Sequence, residues 1–543
     1  MALGIGHWAL GIDAPPGARS ALPHRGVLPA FVGSYAADDL CGRRHVDGSV
    51  LAESAREPVT TRAGFSASRR VAAASEIAMS QRCGRCGLAV VWAMLFLAVG
   101  SHPLAAQASP PVAVGTAPDS PTAAAAEPSP LFAPADLGFR FHGYLRSGFG
   151  VDATGKGQQP FIVPLAGSKY RLGNEAETYL ETSFMYGATS EGDDPAYFDT
   201  RVTLAYVTPT SQSNTFATTF SLREAYAIAR GVWAAQPRAT FWAGARFYDR
   251  HDVHITDFYY RDQSGFGGGI EDIAIGDDAR FAAAWIGGTQ DQLNANGTVL
   301  PQELFRFNKN TFDFRFYGHE IAGGKVSLAV DVSHFNGDQV VTDSIPVIVD
   351  DSVGASGTAI VEWPFTGGRN KLAVQYGMGA AFDFRSIVTT PAGRTIEPGD
   401  HVQLDDVWQF RVVNDLLLDQ RGPWALQALA LYQELENGAA SDSRVRWVSL
   451  GARPVRRLGR FFSLATEAGW DHTVQGDLPG GSLFKLTGAL QVTPAMKFLS
   501  RPSLRAFATW AHWSDSYRGR IAAATNPDAV HGAAFGVQLE TWW

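Results

Sequence analysis

The segment AFGVQLETWW, residues 534–543, alternates apolar and polar side chains along its length. Because side chains on a β-strand point alternately to its two faces, this segment presents two opposite faces. One face carries Phe535, Val537, Leu539, Thr541 and Trp543, and the other carries Gly536, Gln538, Glu540 and Trp542. The first face suits lipid and the second suits a polar interior. The segment is therefore predicted to be a strand of a transmembrane β-barrel.

Residues 139–151 follow the same rule. Their apolar face carries Phe139, Phe141, Leu145, Phe149 and Val151, and their polar face carries Arg140, His142, Tyr144 and Arg146. A soluble β-sandwich would bury the apolar face instead, and alternation alone does not separate these two folds. The charged second face and the export signal described below favour the barrel.

The 406 residues from Gly138 to Trp543 show no sustained helical stripe. They contain about 18 alternating segments of roughly 8 to 13 residues, separated by turns rich in Gly, Asp, Asn and Pro. The predicted fold is all-β, an 18-stranded antiparallel transmembrane β-barrel. Because a barrel of about 16 to 18 strands encloses an aqueous channel, transport is the leading function.

Charge limits the possible partners. Residues 1–108 contain 10 basic and 7 acidic residues, whereas the whole chain contains 45 and 53. The acidic excess therefore lies in residues 109–543, which argues against binding to nucleic acid.

The apolar segment Leu88–Val99 follows Arg82 and Arg85 and precedes Ala-Gln-Ala at 106–108. It is short for a membrane span, which needs about 20 residues. A basic region, a short apolar region and a small-x-small site are typical of a secretory signal peptide. A buried core helix or a membrane anchor is the alternative.

A signal peptide normally begins its chain, so translation is predicted to begin at Met79. Four parts follow: 1–78, an upstream extension from a misplaced start; 79–108, the signal peptide; 109–137, a Pro/Ala-rich linker; and 138–543, the barrel. All three cysteines, Cys41, Cys83 and Cys86, precede the cleavage site. The exported part therefore has neither a disulfide nor thiol chemistry.

The stretch RFYDRHDVHITDFYYRD, residues 246–262, mixes Arg, Asp and His without strand alternation. It could not face lipid, so we expect a loop that folds into the lumen and narrows the channel. His251 and His254 have the spacing of metal ligands, but no regular helix aligns them. Neither a metal nor a cofactor is predicted.

Alternation also places aromatic side chains in the lumen, namely Tyr144, Tyr179, Trp447 and Trp542, near Arg146, Glu177 and Glu181. Aromatic faces stack on the C–H faces of sugar rings, and ionisable groups hydrogen-bond to the hydroxyls. An interface girdle or filler inside a plugged barrel is the alternative. No motif of a hydrolase, zinc protease or phosphate loop occurs, so no enzyme is predicted.

Four segments closely resemble the maltoporin family of sugar-specific outer-membrane porins: FHGYLRSGFG (141–150), SKYRLGNEAETYLE (168–181), FWAGARFYDRHDVHITDFYY (241–260) and LETWW (539–543). The resemblance runs from about Gly138 to Trp543. It implies a homotrimer of 18-stranded barrels in the bacterial outer membrane, each channel narrowed by an inward-folded third loop.

The resemblance also implies the substrate-binding residues. The aromatic slide falls on Tyr144, Tyr179, Trp447 and Trp542, with Tyr259 at the narrowest point. The polar track falls on Arg146, Arg171, Glu181, Arg223, Arg250, Asp252, His254, Asp257 and Asp262.

The chain departs from the family's pattern in four places. The second-loop tryptophan is missing, and Phe216 is the nearest substitute. The mid-barrel slide phenylalanine falls near Ala359, with Trp363 close by. Pro160 and Ala176 stand where the best-known members have a loop disulfide. The linker before the barrel is also longer than in plain maltoporins.

The expected function is a passive, sugar-selective outer-membrane channel for maltose and maltodextrins. A channel for sucrose or another oligosaccharide, and a general diffusion porin without sugar specificity, are the alternatives. An energy-coupled transporter would need a large plug domain, which the 29 residues of the linker cannot supply.

N-terminal sequencing tests the predicted processing. We expect the precursor to begin at Met79 and the exported protein at Ser109, because a signal peptide is removed at its small-x-small site. A peptide from residues 1–78 in either form would contradict the predicted start.

Overall fold

The computed structural model describes residues 136–192, 195–208, 219–289, 308–342, 345–387, 389–394, 399–523 and 525–543. The predicted extension and signal peptide, all but the end of the linker, and Phe216 lie outside the described residues.

Within these residues, eighteen strands form one antiparallel sheet. They are β1 (Gly138–Asp152), β2 (Thr178–Thr189), β3 (Tyr197–Thr208), β4 (Thr219–Arg230), β5 (Thr240–Arg246), β8 (Gly265–Ile275), β9 (Ala279–Thr289), β10 (Asn308–Ile321), β11 (Gly324–Asn336), β14 (Ser352–Phe365), β15 (Gly368–Met378), β17 (Trp408–Arg421), β18 (Trp424–Glu436), β19 (Arg444–Arg457), β20 (Phe462–Gln475), β21 (Gly481–Val492), β22 (Ser503–Trp513) and β23 (His531–Trp542). The remaining strands lie in loops: β6 (His251–Val253), β7 (Phe258–Arg261), β12 (Asp338–Thr342), β13 (Ile345–Val349) and β16 (His401–Val402).

The sheet closes on itself because β23 pairs with β1, from Tyr144 opposite Trp542 to Asp152 opposite Ala534. Closure leaves no sheet edge with unpaired backbone groups. The predicted 18-stranded antiparallel barrel is therefore confirmed. Among the described helices, none is long and apolar enough to cross a membrane.

Connections differ at the two ends of the barrel. At the end where β1 begins, called here the turn end, most connections are short. Ala322 and Gly323 alone join β10 to β11, and both have positive φ, as a two-residue hairpin turn requires. Long connections, including all of the loop strands, lie at the opposite end, called here the loop end.

The two faces of the strands differ as the alternation predicts. On β22, Leu504 and Trp510 are exposed on the outer face, whereas Ser503 and Thr509 are buried on the inner face. On β1, the phenylalanines predicted to face outward, Phe139, Phe141 and Phe149, are exposed. An apolar surface therefore surrounds a polar interior.

The connection between β5 and β8, residues 247–264, folds into this interior and is called here the constriction loop. Within it, β6 and β7 pair as a small antiparallel hairpin, which the mixed order of its residues did not predict. Its apolar side chains, Val253, Ile255, Phe258 and Tyr260, are buried in a cluster against the inner wall. The apolar residues of this mixed stretch therefore contact the wall, while most of its charged residues stay partly exposed.

Arg261 anchors the constriction loop to the wall. Its guanidinium is 1% exposed and pairs with Asp331 at 2.6 Å, with Asp313 and with Asp249 of the same loop. Asp313 on β10 and Asp331 on β11 stand directly opposite each other. Since like charges in that position repel, the guanidinium holds together two strands as well as the loop.

Arg411 of β17 provides a second anchor. It donates from Nη1 to the backbone oxygen of Tyr260 at 2.7 Å, and its guanidinium lies 5.0 Å from the rings of both Phe258 and Phe384. The loop is thus attached to two separate parts of the wall, and these attachments keep the partly exposed side of the loop in a defined position.

Arg261→Met should lower the free energy of unfolding by about 3–5 kcal/mol, because it leaves the buried Asp331 without its counter-ion. Asp249 and Asp313 keep Arg315 as a partner. The loosened loop should also increase the fluctuations of single-channel current. Denaturant unfolding in vesicles and bilayer recordings measure the two effects.

Arg518→Met is the matched control, because Arg518 and its partner Asp515 are exposed, and exposed pairs contribute only about 0–1 kcal/mol. Equal stability and equal current noise in Arg261→Met and the wild type would refute the anchoring role.

Candidate functional site

Three aromatic side chains form a row on neighbouring strands of the inner face. Trp542 stands directly opposite Tyr144 in the register of β23 and β1, with ring centroids 6.4 Å apart and an interplanar angle of 17°. The ring of Tyr179 on β2 lies 6.1 Å from that of Tyr144. Trp542 lies at the turn end and Tyr179 near the loop end. This aromatic row therefore extends along the channel.

Buried charges hold the middle of the aromatic row. The Tyr144 hydroxyl donates to Glu540 at 3.1 Å and accepts from Nη2 of Arg171 at 2.9 Å. Arg171 pairs in turn with Glu540 at 3.2 Å and with Glu175 at 3.0 Å. The orientation of the Tyr144 ring is thus fixed by buried groups that form hydrogen bonds and ion pairs with one another.

Charged side chains also flank Tyr179. The guanidinium of Arg146 lies 5.1 Å from its ring centroid and pairs with Asp257 of the constriction loop at 2.8 Å. The Tyr179 hydroxyl donates to Glu181, which lies 3.6 Å from the partly exposed Arg223. Residues from both wall and loop therefore meet at this ring.

Several polar side chains of the constriction loop are not fully buried. Partial exposure is shared by Arg250, Asp252, His254, Asp257, Tyr259 and Asp262. The Arg250 guanidinium lies 4.1 Å from the ring centroid of Tyr259 and 3.5 Å from Asp262. The loop thus adds an aromatic ring and several hydrogen-bonding groups to the channel surface.

Trp447 stands apart from the aromatic row. Its side chain on β19 is 1% exposed, and its Nε1 donates to Asp471 at 2.9 Å. The ring of Phe258 lies edge-on to it at 5.2 Å. Trp447 points inward, as alternation predicts, but the constriction loop covers it, so its ring is not part of the accessible channel surface in this structure.

The two candidates for the missing slide phenylalanine do not face the lumen. Ala359 on β14 stands between Leu328 and Val374 in the register, and both of these neighbours are exposed on the outer face. Trp363 is four residues further along β14 and therefore has the same parity. Neither residue extends the aromatic row.

Sequence reasoning did not select two residues that contact the row, Glu540 and Arg501. Glu540 precedes Trp542 by two positions on the same inner face, a spacing that could have identified it. Arg501 lies in the connection before β22, where no alternation operates. Within the described residues, no group of three or more His, Cys, Asp or Glu is placed to hold a metal ion.

Known proteins provide an independent comparison. Residues 139–543 match the family described as LamB porin. Among solved structures, the chain is similar to Salmonella typhi OmpF in complex with daunomycin, at 11% identity and a TM-score of 0.41, over 75% of this chain and 99% of that one. It is also similar to Pseudomonas aeruginosa OccK3 (OpdO), at 12% identity and a TM-score of 0.39, over 75% and 97% of the two chains.

The family match spans the whole barrel and agrees with the motifs quoted from the sequence, so the predicted resemblance to the maltoporin family is confirmed. With the family come the bacterial outer membrane as location and a diffusion channel as the kind of protein. The chain belongs to the LamB porin family.

Proposed function

We propose that the protein is a passive, sugar-selective channel for maltose and maltodextrins. The observation that carries this proposal is the aromatic row, in which Trp542, Tyr144 and Tyr179 lie 6.4 and 6.1 Å apart with charged groups along its length. Selectivity for a sugar needs both features, because a sugar ring has apolar C–H faces and a polar rim.

Stepwise movement along the aromatic row follows from its spacing. The neighbouring rings are close enough for a sugar to contact the next ring before it leaves the previous one. Each stacking contact contributes only about 0.5–1.5 kcal/mol, and such weak binding allows exit as well as entry. Passage of this kind is diffusion down a concentration gradient.

Hydrogen bonds to the sugar hydroxyls are assigned to the polar track. Two loosely paired sets of accessible side chains have this role: Glu181 lies 3.6 Å from Arg223, and Arg250 lies 3.5 Å from Asp262. These pairs are long and loose enough to exchange partners with a passing hydroxyl. Tyr259 adds a hydroxyl at the channel face of the constriction loop.

A channel for sucrose or another oligosaccharide is the second candidate. The observation that favours it is the covered position of Trp447, which makes the accessible row shorter by one of the four slide residues that the family resemblance implies. A general diffusion porin without sugar specificity is the third candidate, and it predicts no saturable binding.

We also propose that three copies assemble as a homotrimer, as the family resemblance implies. Light scattering of the protein in mild detergent should give three times the mass of one chain, and the mass should fall to that of one chain after heat denaturation. A particle with the mass of one chain before heating would refute the trimer.

Planar bilayer recordings test the sugar specificity. Maltotriose should block the ion current in a saturable way, sucrose should block it more weakly, and a sugar alcohol should not block it. Trp542→Ala should weaken maltotriose binding about two- to tenfold, since one aromatic contact of about 0.5–1.5 kcal/mol is lost.

Trp510→Ala is the matched control, because Trp510 is equally aromatic but exposed on the outer face. Stronger block by sucrose would select the second candidate. Absence of block by every sugar would refute sugar selectivity, and unchanged binding in Trp542→Ala would remove that residue from the path.

A further inference from the structure

The connection between β21 and β22, residues 493–502, is the longest at the turn end, with ten residues against two to nine in the others. Short connections of barrels in this membrane face the periplasm, so we call this segment the periplasmic turn. A simple reversal of the chain needs only two residues, as at 366–367 and 422–423. The additional residues therefore need another explanation.

The periplasmic turn crosses the mouth of the barrel. The backbone nitrogen of Phe498 donates to the backbone oxygen of Asp419 at 2.9 Å, and that of Leu499 donates to the Asp419 carboxylate at 3.4 Å. Asp419 belongs to β17, and the strands β18, β19 and β20 lie between β17 and β21 in the wall. The turn thus reaches across several strands instead of following the rim.

The periplasmic turn also reaches the constriction loop. Phe498 is buried among the apolar residues beneath that loop, and its ring lies 6.3 Å from the imidazole of His254, edge to face. Arg501 lies with Nη2 at 2.9 Å from Nε2 of the same imidazole. Because a guanidinium can only donate, Nε2 accepts, and this contact requires a neutral imidazole with its proton on Nδ1.

Arg501 lies directly against the last ring of the aromatic row. Its guanidinium carbon is 4.3 Å from the centroid of a Trp542 ring, and its Nη2 donates to Glu540 at 2.5 Å. The Arg501 side chain is 2% exposed, whereas Trp542 remains 37% exposed. The guanidinium therefore supports the indole while part of the ring stays open to a ligand.

We propose that the periplasmic turn forms the exit end of the sugar path, and that Arg501 is a positioning residue that holds Trp542 and His254 in the geometry needed for passage on the periplasmic side. This inference rests on the proposed sugar channel. In this proposal, Arg501 controls the height of the free-energy barrier to sugar movement between Trp542 and the periplasm, in both directions of passage.

The planar geometry of Arg501 makes the proposal testable. A lysine keeps the charge beside Glu540 but cannot stack flat on the indole. Arg501→Lys should therefore leave the barrel folded while it disturbs Trp542. Lys497→Ala is the matched control, since Lys497 lies on the same turn and is exposed.

The experiment adds maltotriose to one side of a bilayer at a time. Orientation is established with Leu478→Cys, an exposed position in a loop at the opposite end, labelled from one side with an impermeant thiol reagent. Residues 109–543 contain no cysteine of their own, so the label reports one site.

In Arg501→Lys, the association rate from the periplasmic side should fall at least threefold, while the rate from the loop side stays within twofold of the wild-type value. Lys497→Ala should change neither rate. In Trp542→Ala, adding Arg501→Lys should produce little further change, because the two residues act through one ring.

Each other outcome overturns the proposal. Equal changes from both sides would indicate a general structural role for Arg501, and unchanged rates would indicate none in passage. If the wild type shows block and Arg501→Lys does not differ from it, only this inference fails. If the wild type shows no block with any sugar, the proposed function fails and this inference fails with it.

Discussion

The pairing of β23 with β1 is the constraint on which the rest of the structure depends. In a bilayer, an unpaired backbone amide or carbonyl costs several kcal/mol, so a spanning sheet must have no edge. Closure also determines which residues of each strand face outward, because the outer face of the closed sheet lies against lipid and the inner face surrounds the lumen. The inner face can then carry polar side chains. Their hydrogen-bonding groups and charges must pair with one another or contact water or a ligand.

Ion pairs balance the buried charges inside the barrel, both within the wall and between wall and loop. Within the wall, Glu467 lies 2.8 Å from Lys485 and 2.6 Å from Arg453. Between wall and loop, Arg261 holds carboxylates from two strands. Breaking one partner of such a pair is strongly destabilising, since the remaining charge stays buried. The constriction loop is thus held in place by the same charges that make the lumen polar, which couples the position of the site to the stability of the barrel.

The sequence was sufficient to predict whatever depends on alternation alone. The faces of β1 and β23 and the inward position of Tyr144, Tyr179 and Trp542 follow from a period of two. The covering of Trp447 does not, because it depends on Phe258, a residue on a loop whose path no local pattern specifies. The hairpin of β6 and β7 was missed for a related reason, since its short strands carry no apolar–polar alternation and pack against the wall through residues distant in sequence.

Glu540 is an inner-face residue whose contacts hold neighbouring side chains in place. One of its oxygens accepts from Tyr144 and lies near Arg171, while the other accepts from Arg501 and Arg505. A carboxylate with so many partners has little capacity left for a sugar hydroxyl. Its effect on a ligand in the proposed path must therefore be indirect, through the orientation of the rings beside it. If the proposed sugar path is correct, discrimination between sugars comes from groups with spare hydrogen-bonding capacity, such as the exposed Arg223 with its long contact to Glu181.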